Sequence, residues 1–168
     1  MLALQTERLE LEPLIPAHAK ILFPQMRDAR LYEFLDSEPP RSVAILETQY
    51  RRWEPRRSPD GTQAWLNWAA RLRSGEYIGW FQATVYDNHR ADLAYLVFMA
   101  HQRHGYAIEA CRAVVTYLSG EYGVRTIRTT IDKRNTASIA LARTLDLTQS
   151  GADAHGIWFE KQIPGPTP

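Results

Sequence analysis

Hydrophobic and polar positions change period several times along this chain, and each change marks an element. Leu9 and Leu11 alternate with Glu10 and Glu12, the period-two pattern of a short strand, which Pro13 and Pro16 close. Between residues 17 and 35 the apolar positions Ile21, Leu22, Met26, Leu31, Phe34 and Leu35 fall at helical intervals, predicting one or two helices before the SEPPR break at 37–41. Ser42 starts a further helix that runs to about Trp53, and EPRRSPDG (54–61) reads as a mobile loop beside a substrate cleft. QAWLNWAARL, YIGWFQATVY and ADLAYLVFM then follow, rich in aromatic and branched residues and separated by the turns SGE and DNHR. They predict an antiparallel meander.

After Gly105 the period becomes helical, with Ile108, Cys111, Val115 and Leu118 on one stripe and Glu109, Arg112 and Thr116 off it. Gly120 and Gly123 are expected to end that helix. VRTIRTTI (124–131) is β-branched and reads as a strand. Asn135 caps a last helix carrying Ile139, Leu141, Ala142 and Leu145, and GIWFEKQI is a closing strand before PGPTP. Strand, helix, strand, helix in this order imply a right-handed crossover that sets the strand at 124–131 parallel to the one at 91–99. The fold class is α/β, of the α+β kind, with one domain over 1–163 and an unstructured tail at 164–168.

The junction HQRHGYAIEA (101–110) is the chemically distinctive stretch. A strand delivers the chain to a glycine-containing turn whose next N–H groups form the unsatisfied first turn of a helix, with the positive end of its dipole behind them. That geometry binds phosphate oxygens. A side chain at Gly105 would block the anion's approach to the backbone, Ala107 is small for the same reason, and Arg103 and His104 add charge. Plain turn chemistry is the alternative reading.

Composition narrows the partners. The chain has 168 residues, 45% of them hydrophobic, enough for a core. Twenty Lys+Arg against nineteen Asp+Glu leave a net charge of +1, which argues against nucleic acid and acidic membranes as partners. MLALQTERLELEPL carries charges by position 7 and no long apolar run, so neither a signal peptide nor a membrane span is expected, and the location reads as cytoplasmic. Cys111 is the only cysteine and sits on an apolar stripe, so packing is expected of it. No Cys/His cluster has metal-site spacing, and no GxxxxGK[ST] phosphate loop occurs. Of the five tryptophans most are expected in the core; Trp65 and Trp68, three apart, cannot share a strand face unless the strand bulges.

Gln102-Arg103-His104-Gly105-Tyr106-Ala107 resembles the Q/R-x-x-G-x-G/A motif of the GNAT N-acetyltransferases, and Asn135-Thr136-Ala137-Ser138 is similar to the N-x-x-S helix start of their Rim-type branch, the ribosomal-protein-alanine acetyltransferases and relatives. Thr6-Glu7-Arg8-Leu9 resembles that branch's opening strand, and Gly79 and the DLAYLV segment its central strands. The resemblance implies a mixed, mostly antiparallel sheet of about seven strands flanked by helices, whose central parallel strands splay to hold acetyl-coenzyme A. It implies that pantetheine completes the strand ladder in the gap, that the Val97 N–H holds the thioester carbonyl, and that backbone groups from Arg103 through His104, Gly105, Tyr106 and Ala107 to Ile108, after Gln102, hold the diphosphate. Asn135 would contact the pantetheine arm or a water on it.

The implied activity is transfer of acetyl to a primary amine on a protein N-terminus, an amino acid or a small molecule. A non-catalytic acyl-coenzyme A sensor is the alternative. Many relatives place a tyrosine seven residues after the motif asparagine; here that position is Ala142, which excludes that mechanism there. Ser138 takes the role of hydrogen-bonding the departing thiolate, in competition with helix capping. Asp92 is the first candidate for general base by resemblance, in competition with a solvated strand-end carboxylate; Glu33, Glu76, His155 and Glu160 are the others. Asp28, Glu33, Asp36 and Glu38 would suit a cationic acceptor. Asp146-Leu147 stands where the family has Gly-Phe, so that helix end is expected to be strained or differently built. An edge strand near the C-terminus offers a homodimer contact.

Overall fold

The computed structural model describes residues 1–164. Its strands are β1 (Leu4–Gln5), β2 (Leu9–Pro13), β3 (Gln63–Leu72), β4 (Tyr77–Tyr86), β5 (Arg90–Val97), β6 (Thr126–Ile131), β7 (Thr148–Ala152) and β8 (Ile157–Gln162), and its helices are α1 (His18–Met26), α2 (Val43–Trp53), α3 (Tyr106–Glu121) and α4 (Thr136–Thr144). The strands form one sheet in the order β1-β2-β3-β4-β5-β6-β8-β7. Neighbours are antiparallel except β5 and β6. The period-two and period-3.6 readings therefore hold for the main elements, including the Ser42 cap, whose side chain accepts from the Ile45 N–H at 3.2 Å.

Alternation sorts the strand residues onto two faces. On one, Leu11, Leu66, Trp68, Phe81 and Ile127 pack with Cys111, Val114 and Leu118 of α3 and Ala142 of α4. On the other, Ala69 and Leu96 pack with Leu22 of α1 and with Leu46 and Tyr50 of α2. Cys111 is fully buried, and burial pushes its thiol well above the ordinary range, as expected of a packing residue.

Several expectations need correction. The sheet has eight strands, the six read from the pattern together with β1 and β7, which carry none: β7, TQSGA, is short, largely exposed and free of branched apolar residues. β7 forms the edge of the sheet on the C-terminal side, while β8 is paired on both sides. β5 stops at Val97, and Met99–His101 form a 3-10 turn. Gly120 lies inside α3; the chain turns at Gly123, with φ of +62°. The buried stripe of α3 is Ala110, Cys111, Val114 and Leu118, so Cys111 and Leu118 are where the pattern placed them, while Val115 and Ile108 are only partly buried against the core and Ile108 also lines a cleft. Only Trp68 among the tryptophans is fully buried. Asp146 takes the left-handed conformation, φ +61°, usually left to glycine. The Leu147 N–H donates to the Ala142 carbonyl at 3.0 Å, and the Lys161 ammonium donates to the Asp146 carboxylate at 3.1 Å and to the Leu145 carbonyl at 3.0 Å. The tail expected from residue 164 lies, beyond Pro164, outside the described residues.

One feature of the register positions everything else. β4 stays paired with β5 from Val85↔Ala91 to Gly79↔Val97, and β6 stays paired with β8 from Thr126 to Ile131. β5 and β6, however, pair only at Arg90↔Thr126, Ala91↔Ile127 and Asp92↔Arg128. From Leu93 and Thr129 onward they part, leaving a gap in mid-sheet.

Candidate active site

A cleft of about 590 Å³ lies where β5 has parted from β6. Its walls are the end of β5 (Tyr95, Leu96, Val97), the turn into α3, and the first turns of α3 and α4. Leu31, Glu33, Phe34 and Leu35, between α1 and α2, complete it. An open strand edge inside a sheet would ordinarily strand backbone donors and acceptors, so an extended polar chain is the occupant such a gap suits.

At one end the cleft meets the N-terminus of α3. Gly105 sits at the N-cap with φ of +81°, contributes no side-chain cap, and leaves the first-turn N–H groups facing out. Arg103 is also left-handed, φ +63°, so the backbone turns twice within three residues, and left-handed residues of this kind are what anion nests are built from. Gln102 does not point its side chain at this nest. Its amide donates to the Val97 carbonyl at 3.0 Å and so ties off the end of β5. His104 also faces away: its ring stacks on Tyr106 at 5.6 Å, and it is absent from the cleft wall. Gln102, Arg103, Gly105, Tyr106, Ala107 and Ile108 all line the wall.

The loop is braced from behind by Thr6, Arg8 and Glu109, for which the motifs implied no such role. Arg8 donates to the His104 carbonyl at 2.9 Å, lies 4.7 Å from the Tyr106 ring centroid, and pairs with Glu109 at 2.6 Å. Glu109 also accepts from the Thr6 hydroxyl at 2.6 Å and the Arg8 N–H at 2.8 Å. Burial alone would push this carboxyl up, but the hydrogen bonds from Thr6 and Arg8 outweigh it and hold Glu109 below the usual range. Stability from a depressed carboxyl is present above its unfolded value, about 4.3, and is lost as pH falls through the lower folded one. Between about pH 5 and 3 the wild-type melting temperature should therefore fall more steeply than that of Glu109→Gln, as thermal unfolding across that range will read.

At the other wall, α4 begins with Asn135, whose Oδ1 accepts from the Ser138 backbone N–H at 3.0 Å. The Ser138 hydroxyl takes no part in that cap, and both residues line the cleft. Arg134 lies 5.7 Å from the Phe34 ring centroid, linking the start of α4 to the segment between α1 and α2.

The chain matches the acetyltransferase (GNAT) domain family over residues 8–148. It belongs to that family. No curated protein matches it. Among solved structures it is similar to the ribosomal L7/L12 alpha-N-protein acetyltransferase RimL in complex with coenzyme A, with a TM-score of 0.83 at 17% identity over 96% of this chain and 98% of that one. A GNAT-family acetyltransferase from Bacillus anthracis gives 0.80 at 14% identity over 96% and 98%, and an acetyltransferase from Agrobacterium tumefaciens 0.75 at 20% over 97% and 95%. These likenesses are of fold. With the family established, the GNAT architecture expected from the motifs and the acyltransferase class stand.

The GNAT domain does not bring Asp92 to the cleft. Asp92 lies in the last register pair before β5 and β6 part, where it accepts from Arg128 at 3.2 Å on each carboxylate oxygen and from the Tyr86 hydroxyl at 3.0 Å, with Arg90 at 3.4 Å. It clasps the two strands at the vertex of the gap. It borders a separate cleft of about 270 Å³ with Gln82, Thr84, Tyr86 and Thr130. Of the other acids and bases, Glu33 lines the main cleft, and Glu76 pairs at 3.2 Å with His101, which also lines it. Glu160 sits on β8 opposite Arg128, and His155 lies in the turn before β8. Trp65 and Trp68 point to opposite faces without a bulge between them, and neither borders the cleft. Among the described residues there is no group of three or more His, Cys, Asp or Glu side chains placed to hold a metal ion, and no helix is long and apolar enough to cross a membrane.

Proposed function

We infer that this acetyltransferase moves an acetyl group from acetyl-coenzyme A to a primary amine by direct attack. The observation that carries the reading is the gap between β5 and β6 running into the uncapped N-terminus of α3. The pantetheine arm fills the gap as a substitute strand, and the diphosphate takes the N–H groups from Arg103 to Ile108. The Val97 N–H polarises the thioester carbonyl and holds its oxygen as charge develops there. The amine nitrogen bonds to the carbonyl carbon, the carbon–sulfur bond breaks, and the proton shed by nitrogen ends on sulfur. Ser138 donates a hydrogen bond to the departing thiolate. Asn135 shapes the pantetheine wall, chiefly by capping α4.

Asp92, with its oxygens committed to Arg128 and Tyr86, serves as the strand clasp, and Glu33 takes over as the carboxylate that meets the incoming amine. RimL acts on a protein N-terminus; a peptide N-terminus is the acceptor we assign here too, on the strength of that likeness in fold and the resemblance of Asn135 and Ser138 to the Rim-type helix start. Calorimetric titration with acetyl-coenzyme A, then mass spectrometry of a peptide and amine panel incubated with both, tests the whole reading. Micromolar binding with an acetylated peptide is expected; binding with no product anywhere on the panel would favour the sensor role.

Ser138→Ala should lower kcat about 10- to 100-fold while leaving acetyl-coenzyme A affinity within about twofold, the pattern of a contact made mainly in the transition state. A fall in melting temperature alone would assign Ser138 to the helix start.

A further inference from the structure

Tyr95 lies on β5 two residues before Val97 and lines the main cleft together with Ser138. Its ring packs against Phe81, with centroids 6.1 Å apart, which fixes the direction of the phenol. The phenol oxygen is fully buried and has no hydrogen-bond partner among the described residues. Tyr32 and Tyr50 share that lack, but neither borders the cleft. Ser138 borders the same cleft from the first turn of α4, and the Tyr95 phenol has no formed hydrogen bond to it or to any other described residue. Meanwhile Ala142, where many relatives carry tyrosine, is buried and offers no donor. A lone serine hydroxyl rotates freely, and an unpaired buried donor beside it is costly unless the two engage.

We propose that Tyr95 is a positioning residue for acetyl transfer: its O–H donates to the Ser138 oxygen and thereby turns the Ser138 O–H toward the sulfur of coenzyme A. The inference rests on the acetyl-coenzyme A reading above. Burial pushes the Tyr95 phenol up to about 12, with Ser138 pulling the other way, so the phenol keeps its proton at neutral pH. It donates a hydrogen bond and transfers nothing; the proton that ends on sulfur is still the one lost by the amine.

Coenzyme A itself is the probe. The thiol of bound coenzyme A is titrated by its thiolate absorbance, as a difference against the complex with desulfo-coenzyme A, for wild type, Tyr95→Phe, Ser138→Ala and the double variant. A donor aimed at sulfur stabilises the thiolate, so the thiol should ionise about one pH unit higher in each single variant than in wild type, a tenfold change, and no higher in the double variant. Without coenzyme A the melting temperature of Tyr95→Phe should not fall, because the phenol has no formed hydrogen bond in the ligand-free protein. A packing role for Tyr95 would leave the thiol unshifted in Tyr95→Phe, and lower the melting temperature only when the ring itself is removed, as in Tyr95→Leu. Shifted ionisation in Ser138→Ala but not in Tyr95→Phe overturns this inference and leaves the acetyl-transfer reading standing. Unshifted ionisation in both overturns the inference together with the role of Ser138. Failure of wild type to bind coenzyme A by calorimetry overturns the cofactor reading, and the inference with it.

Discussion

Gly105→Val should weaken acetyl-coenzyme A binding at least tenfold, in a protein that still folds cooperatively. Two separate effects add. The backbone at Gly105 has φ of +81°, a conformation that costs a β-branched residue on the order of 1–3 kcal/mol. A Cβ there would also come to 3.3 Å from the Arg8 guanidinium, which holds the His104 carbonyl. Relieving either strain rotates the N–H groups at the start of α3 away from the cleft, and those groups are what the diphosphate is inferred to use. Because the loop is exposed and α3 remains anchored by Ala110, Cys111, Val114 and Leu118, the fold should survive. Calorimetry and thermal unfolding on one preparation separate the two readouts; unchanged affinity would remove the diphosphate from this loop.

How much of this was legible in the sequence depends on the range over which each cause acts. Local causes were readable. The Asn135 and Ser42 caps, the meander and the Gly105 turn each follow from a few adjacent residues. The splay came from the family resemblance, and what the register adds is its vertex at Asp92↔Arg128. The Asp92 clasp was not legible because a carboxylate early in a strand looks the same whether it meets solvent, a substrate or an arginine 36 positions away. The same holds for Arg8: nothing near Thr6-Glu7-Arg8-Leu9 announces Glu109, which is 101 residues on. β7 escaped because an exposed edge strand has no buried face and therefore no alternation to betray it.

The long-range contacts also explain why a chain lacking the usual tyrosine still has an organised cleft. Arg8 and Glu109 fix the anion loop from behind, Gln102 ties the loop to the end of β5, and Asp92 with Arg128 fixes where the strands part. The cleft is thus held at three points by side chains that need not touch the cofactor. Substituting any of them should alter affinity by displacing backbone, an effect distinct from the loss of the Ser138 hydroxyl, which is proposed to remove one contact at the sulfur.

Gly79→Ala should be among the most destabilising single-methyl substitutions in the protein. Gly79 pairs with Val97 across β4 and β5, and a Cβ on it would lie 2.2 Å from the Leu96 carbonyl oxygen and 3.0 Å from the Val97 Cα. Both are backbone atoms of a central strand, so no rotamer change gives relief; β4 must move away from β5. A cost of roughly 2–3 kcal/mol is expected, a fall of about 4–12 °C in melting temperature. The displacement falls at Val97, so the folded fraction should also lose acetyl-coenzyme A affinity. Gly120→Ala supplies the contrast. That glycine lies inside α3 with nothing within 4 Å of the added methyl, and the same substitution should raise stability by about 0.5–1 kcal/mol through the helix backbone. Opposite signs for one added methyl group would place the difference in the β4–β5 approach itself; equal effects would mean that β4 and β5 can separate at Val97 without cost, and that the end of β5 does not depend on Gly79 for its position.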